Sequence, residues 1–148
     1  MYKKILIGVD TSEDAMRAAK KALDYYIKDK SEIVVFHSIL HKLTQLTPTI
    51  GKVKGTNLSY QIHQDQINQA KNVLEEVKMF FNKSNAPIET RLINYKEPSD
   101  YIREAVKEEG FDLVILGCKG EHSRVERVLG TVPERVLNET ACDVLIVR

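Results

Sequence analysis

Between residues 117 and 131 the chain spaces three glycines and a hydroxyl in a way that suits a phosphate chain. The stretch reads Gly117-Cys118-Lys119-Gly120, then nine residues, then Gly130-Thr131. Glycine has no Cβ, so the backbone can turn sharply there and bring its N–H groups up to an anion. A Gly-Thr pair that opens a helix adds free N–H groups, the positive end of the helix dipole and a hydroxyl. Lys119, His122, Arg124 and Arg127 make this the most basic short stretch downstream of the third predicted strand. If the glycines served only tight turns and a helix start, Gly117 alone would suffice. Three glycines with a hydroxyl and basic side chains fit the phosphate reading better.

A loop of this kind works only if rigid elements present it. Lys4 to Val9 is an apolar, β-branched run that ends at Asp10 and reads as a buried strand. Thr11-Ser12-Glu13-Asp14 follows as a helix start, with Ala15, Ala18, Ala19, Ala22, Leu23 and Tyr26 on one face at helical spacing. Ser31 to Ile39 predicts a second strand. His41 to Ser59 lacks periodicity and holds Pro48, Gly51 and Gly55, so it reads as a long surface loop, a variable insertion rather than a lid. Helical spacing returns from about Tyr60 to Asn82, through Ile67, Ala70, Leu74, Val77 and Phe81. Ile88 to Ile93 predicts strand three. Pro98 opens a helix that turns Ile102, Ala105 and Val106 inward and stops at Gly110. Asp112 to Leu116 predicts strand four, the helix after Gly130 carries Val132, Val136 and Leu137 inward, and Cys142 to Val147 predicts strand five.

Strands that read as continuous apolar runs, alternating with helices, predict an α/β fold: a parallel sheet, covered on both faces and doubly wound. No internal repeat is visible, so residues 1–148 are expected to form one domain. In such sheets ligands sit beyond the carboxyl ends of the strands, where the strand order reverses. That directs attention to Asp10-Thr11-Ser12 after strand one and to the loop from Gly117 after strand four.

Composition narrows the function further. A net charge of +1 argues against a general nucleic-acid or membrane-surface binder. No run approaches the ~20 apolar residues that cross a bilayer. The apolar run after Lys3-Lys4 is too short for a signal sequence and is cut by Asp10. Two cysteines, Cys118 and Cys142, make no disulfide framework, and a reducing cytoplasm fits. His37, His41, His63 and His122 show no ligand spacing, so no metal site made of protein ligands alone is expected. The segment after strand one lacks the Gly-x-Gly-x-x-Gly of a dehydrogenase and the Ser-Gly-Gly-rich loop of an ATP pyrophosphatase. A phosphate receiver would need an acid where Asn94 and Tyr95 stand. No nucleophile–base pair is visible and no catalytic residue is assigned, although Asp10 with Mg²⁺ leaves slow ATP hydrolysis open.

With these residues in place, the sequence resembles the universal stress protein family, in its ATP-binding branch, over essentially the whole chain. The anchors are Ile5-Leu6-Ile7-Gly8-Val9-Asp10-Thr11-Ser12, Pro98 with Ile102, Asp112-Leu113-Val114-Ile115-Leu116-Gly117, Glu134-Arg135-Val136-Leu137 and Cys142 to Val147. The family motif G-x2-G-x9-G-[S/T] is met by Gly117, Gly120, Gly130 and Thr131. The resemblance implies a three-layer sandwich of the adenine nucleotide alpha hydrolase-like kind, with strand order 3-2-1-4-5. It implies bound ATP, with AMP or ADP as alternatives, and Mg²⁺. Val9, Asp10 and Thr11 would stand at the end of strand one, with Asp10 on the ribose or, through the nucleotide, on Mg²⁺. Ser38 would turn its backbone to the adenine, and Leu116 and Gly117 would line base and ribose. Lys119, Gly120, Gly130, Thr131 and Val132 would meet ribose and phosphates. It further implies a homodimer through the edge strand Asp143 to Val147, and a regulatory role in stress response exercised through a nucleotide-linked dimer or loop state. A dimeric interaction module without nucleotide, or a weak ATPase, are the alternatives.

Several residues depart from the family pattern. Ser38 stands where an apolar residue is usual, Cys118 where a small hydroxyl is usual, and Lys119 where Arg or His is frequent. Lys96 replaces a glycine. Pro133 replaces a Ser or Thr and so removes an N–H and a hydroxyl near the end of a triphosphate. Cys118 is expected to fill the space of a buried serine, the alternative being a thiol activated by Lys119 and a nearby helix N-terminus.

Overall fold

A computed structural model describes residues 1–40, 55–120 and 129–148, with residues 55–59 as backbone only. The described residues form strands β1 Lys4–Gly8, β2 Glu32–Ile39, β3 Glu89–Asn94, β4 Leu113–Gly117 and β5 Asp143–Val147. Helices α1 Glu13–Asp29, α2 Gly55–Asn82, α3 Pro98–Glu109 and α4 Thr131–Glu139 alternate with them. Every strand pair is parallel, and the order across the sheet is β3-β2-β1-β4-β5. This is the α/β architecture expected from the sequence, with the strand order that the resemblance implies.

The two apolar faces explain the layering. Ile5, Ile7, Ile33 and Val35 alternate with Leu6, Val34 and Phe36 along β1 and β2, and successive side chains leave a strand on opposite sides. The first set packs against α1 and α2 with Ala18, Ala22, Val77 and Phe81. The second packs against α3 and α4 with Ile102, Val106 and Val136. Both sheet faces are therefore dry, which is why these strands read as unbroken apolar runs.

Local signals act where the sequence placed them. Ser12 caps α1, its Oγ accepting from the Ala15 N–H at 3.1 Å. Gly110 ends α3 in the left-handed region at φ 71°, where its missing Cβ matters. Two expectations are corrected. The helix expected from about Tyr60 begins at Gly55, so the expected surface loop overlaps it by residues 55–59; residues 41–54 lie outside the described part. Leu137, expected inward, is 47% exposed. Val132 and Val136, one turn apart, face the core, while Leu137 lies about 100° further round the helix.

Candidate functional site

The strand order reverses between β1 and β4. The two are neighbours, with Gly8 paired to Leu116, yet the chain leaves β1 for α1 on one face and leaves β4 toward α4 on the other. The segments after them diverge and leave a crevice at the carboxyl edge.

The segment after β1 is held from below. Val9 N–H donates to Phe36 O at 3.0 Å, and His37 Nδ1 lies 2.8 Å from Val9 O, so that nitrogen carries the proton and donates. Val9 is thus a buried core residue whose backbone is locked. Asp10 then turns the chain, its Oδ1 accepting the Ser12 N–H at 2.9 Å. Thr11 is exposed at the top of that turn.

The segment after β4 is held from three directions. Cys118 N–H donates to Val147 O at 2.7 Å, and Lys119 N–H donates to Asp14 Oδ2 at 3.2 Å. Gly130 N–H donates to Cys118 O at 2.9 Å. Strand β5, helix α1 and the start of α4 therefore converge on the four-residue turn Gly117 to Gly120. The first turn of α4 closes through Glu134 N–H on Gly130 O at 3.1 Å, and no side chain caps it. The exposed Thr131 and half-buried Val132 lead that helix, so its N-terminal N–H groups lie beside the glycine turn.

Each glycine has its own reason. A Cβ on Gly117 would lie 2.7 Å from the Asp14 carbonyl carbon and 2.8 Å from Ala15 N. The alanine face of α1 lets that helix sit low over the sheet, and Gly117 is what makes room for it. At Gly120 a Cβ would meet only Asp10 Oδ2, at 3.1 Å. That contact brings the two diverging segments together, with a carboxylate oxygen facing a bare backbone. At Gly130 a Cβ would press on Cys118 O at 3.2 Å.

Val9, Asp10, Gly117, Lys119, Gly120, Gly130, Thr131 and Val132 thus come together at the switch point, with Thr11 on its rim. Leu116 is different: it is 4% exposed and part of the core against α3 and α4, its Cδ2 filling the space above Gly8. Ser38 belongs to the next strand, and its hydroxyl donates to the Lys96 carbonyl. The hydroxyl that stands where an apolar residue is usual is therefore engaged within the protein. Cys118 is a free thiol, 3% exposed, as the packing reading expects. Pro133 is buried in the first turn of α4, where a missing N–H costs no helical hydrogen bond. His122, Arg124 and Arg127 lie outside the described residues.

Two contributors were not singled out from sequence. His37 pins the Val9 carbonyl, and Asp14 reaches from α1 to the Lys119 N–H. Asp14 had a local explanation as an acid at a helix start, and nothing in its spacing reveals a partner 105 residues away. Among the described residues no cluster of His, Cys, Asp and Glu could hold a metal ion by itself. No helix among them is long and apolar enough to cross a membrane.

Comparison with known proteins agrees with this fold. The model of the universal stress protein family matches residues 1–148. A universal stress protein of Methanocaldococcus jannaschii is 28% identical over 157 residues, covering 100% of this chain and 96% of that one. Its solved structure superposes with a TM-score of 0.82 at 26% identity, covering 99% of this chain and 96% of that one. A family protein of Archaeoglobus fulgidus solved in complex with dAMP shares the fold at TM-score 0.70 and 20% identity, over 99% of this chain and 98% of that one. An Arabidopsis thaliana member with AMP bound shares it at 0.66 and 15%, over 98% and 90%.

Proposed function

This chain belongs to the universal stress protein family, and from that premise we propose that it binds an adenine nucleotide at the β1–β4 switch point, ATP in the first place. The observation that carries the reading is the meeting of Gly120 with Asp10 Oδ2, backed by the uncapped start of α4. Bare backbone, a carboxylate and helix N–H groups in one crevice suit a ribose and its phosphates. Asp10 would take a ribose hydroxyl or a Mg²⁺ on the phosphates. Gly120, Gly130, Thr131 and Val132 would receive the phosphates, with Lys119 adding charge, and Gly117 and the Ser38 backbone would border base and ribose. Relatives that hold dAMP and AMP support an adenine ligand. Pro133 offers no N–H where a γ-phosphate would end, so ADP and AMP are the second reading. Binding would bias a regulatory state, one domain pairing with a second copy through β5.

The test is direct. Protein purified from cells is denatured and any released nucleotide is identified by mass spectrometry, and ATP binding is measured by calorimetry. Gly130→Val and Asp10→Ala should each weaken binding at least about tenfold. A wild-type protein that carries no nucleotide and binds no ATP at millimolar concentration would overturn the reading.

A further inference from the structure

Tyr95 stands one residue beyond β3 with its backbone in the left-handed region, at φ 60°. A bulky side chain adopts that conformation rarely and under strain, and such strain collects at functional sites. Its N–H donates to Ile39 O at 2.9 Å, which ties the turn to the end of β2. The residue is 69% exposed, and its ring stacks on His63 of α2, with centroids 6.0 Å apart and planes 30° apart. Glycine or asparagine would make the same turn with less strain. What the strained turn does is hold an aromatic ring at the carboxyl edge of the sheet.

That edge is the one on which the nucleotide is placed. Gly8 pairs with Phe36, and Ile39 with Asn94, so Asp10, Ser38 and Tyr95 follow one another above β1, β2 and β3. Neighbouring strands lie ~4.8 Å apart and rise ~3.3 Å per residue, and Tyr95 stands two strands across and two residues further up than Asp10, which sets it about 12 Å away. That is close to the reach of a nucleoside from its ribose hydroxyls to the far edge of its base. The glycine turn and α4 lie on the β4 side of Asp10. A nucleotide with its phosphates at α4 and its ribose at Asp10 therefore runs its base over β2, toward Tyr95.

We propose that Tyr95, propped by His63, is the stacking platform for the nucleobase and makes the site prefer a purine over a pyrimidine. The proposal rests on the nucleotide reading above. A purine offers the larger π-face, and base–aromatic stacking of this kind is sensitive to loss of the ring.

The test uses Tyr95→Gly, because glycine accepts the left-handed backbone and removes only the ring. The unliganded variant should melt at or above the wild-type temperature. Its ATP affinity should fall about tenfold or more, its affinity for tripolyphosphate should stay, and its preference for ATP over UTP should drop toward one. Tyr95→Phe should bind like wild type. Tyr95→Leu, which keeps the bulk and the strained turn, should show the same fall as Tyr95→Gly. The platform is overturned if Tyr95→Gly and Tyr95→Leu bind ATP like wild type, or if they lose ATP and tripolyphosphate alike. Wild type that binds neither compound overturns the nucleotide reading itself, and the platform with it.

Discussion

At the scale of single residues, the motif glycines separate into one that the fold needs and one that the site needs. Gly117→Ala drives a Cβ into the backbone of α1, where nothing can yield without moving the helix. Urea unfolding should show a loss of about 2–3 kcal/mol. Gly120→Ala meets only the end of the Asp10 side chain, at 3.1 Å. Its stability should stay within about 0.5 kcal/mol of wild type, while its ATP affinity falls. Burial first, then the negative charges of Asp143 and Asp112, push the Cys142 thiol up to about 11. Little of it is thiolate at neutral pH, so iodoacetamide should alkylate it in the native protein far more slowly than a free small thiol, as mass spectrometry over time would record.

At the scale of elements, α1 does more than cover the sheet. Its cap at Ser12 and its Asp14 carboxylate tie the segment after β1 to the one after β4. Ser12→Ala should cost about 1 kcal/mol of stability, read by thermal or urea unfolding. Helix α3 is clamped to the β3 edge by a paired contact, Arg91 Nη1 to Glu109 Oε1 at 2.6 Å and Nη2 to Oε2 at 2.9 Å. The hydrogen bonds from Arg91 hold the Glu109 carboxyl below its ordinary value of 4.5. A depressed carboxyl contributes stability above its unfolded value and loses it as pH falls through the folded one. Glu109→Gln should therefore be about 1 kcal/mol less stable than wild type at neutral pH, given the partial exposure of the pair. That gap should close as unfolding is repeated at pH values falling below the ordinary carboxylate range, because the folded-state value lies beneath it.

At the scale of the whole molecule, the two sheet edges differ. Glu89 and Arg91 put charge on β3, whereas β5 presents Val144, Leu145, Ile146 and Val147, all half-buried. An apolar edge strand whose one charge, Asp143, stands at its first residue and that carries no proline is open to pairing with a second copy. Sedimentation should show a dimer in the wild type, and Val147→Lys should shift it toward monomer. A monomeric wild type at high concentration would remove this edge from the proposal.

The chain by itself determined a good deal. Apolar runs set the strands, alanine spacing set α1, and Ser12, Pro98 and Gly110 set helix ends, because each of these acts through neighbours a few residues away. The spacing of the motif glycines was legible for the same local reason, and their phosphate role is part of the proposal. Leu137 was misjudged because a nine-residue helix buries a narrow stripe, and only packing decides where that stripe ends. The start of α2 was missed because Gly55, Thr56, Asn57 and Ser59 are weak helix formers. Tertiary structure alone decided that Gly117 answers to α1, that the Ser38 hydroxyl turns to Lys96, and that Asp10 faces Gly120. The physical reason is common to all three: each is a contact between segments far apart in sequence, and its geometry exists only once the sheet has set β1 beside β4 and β2 beside β3.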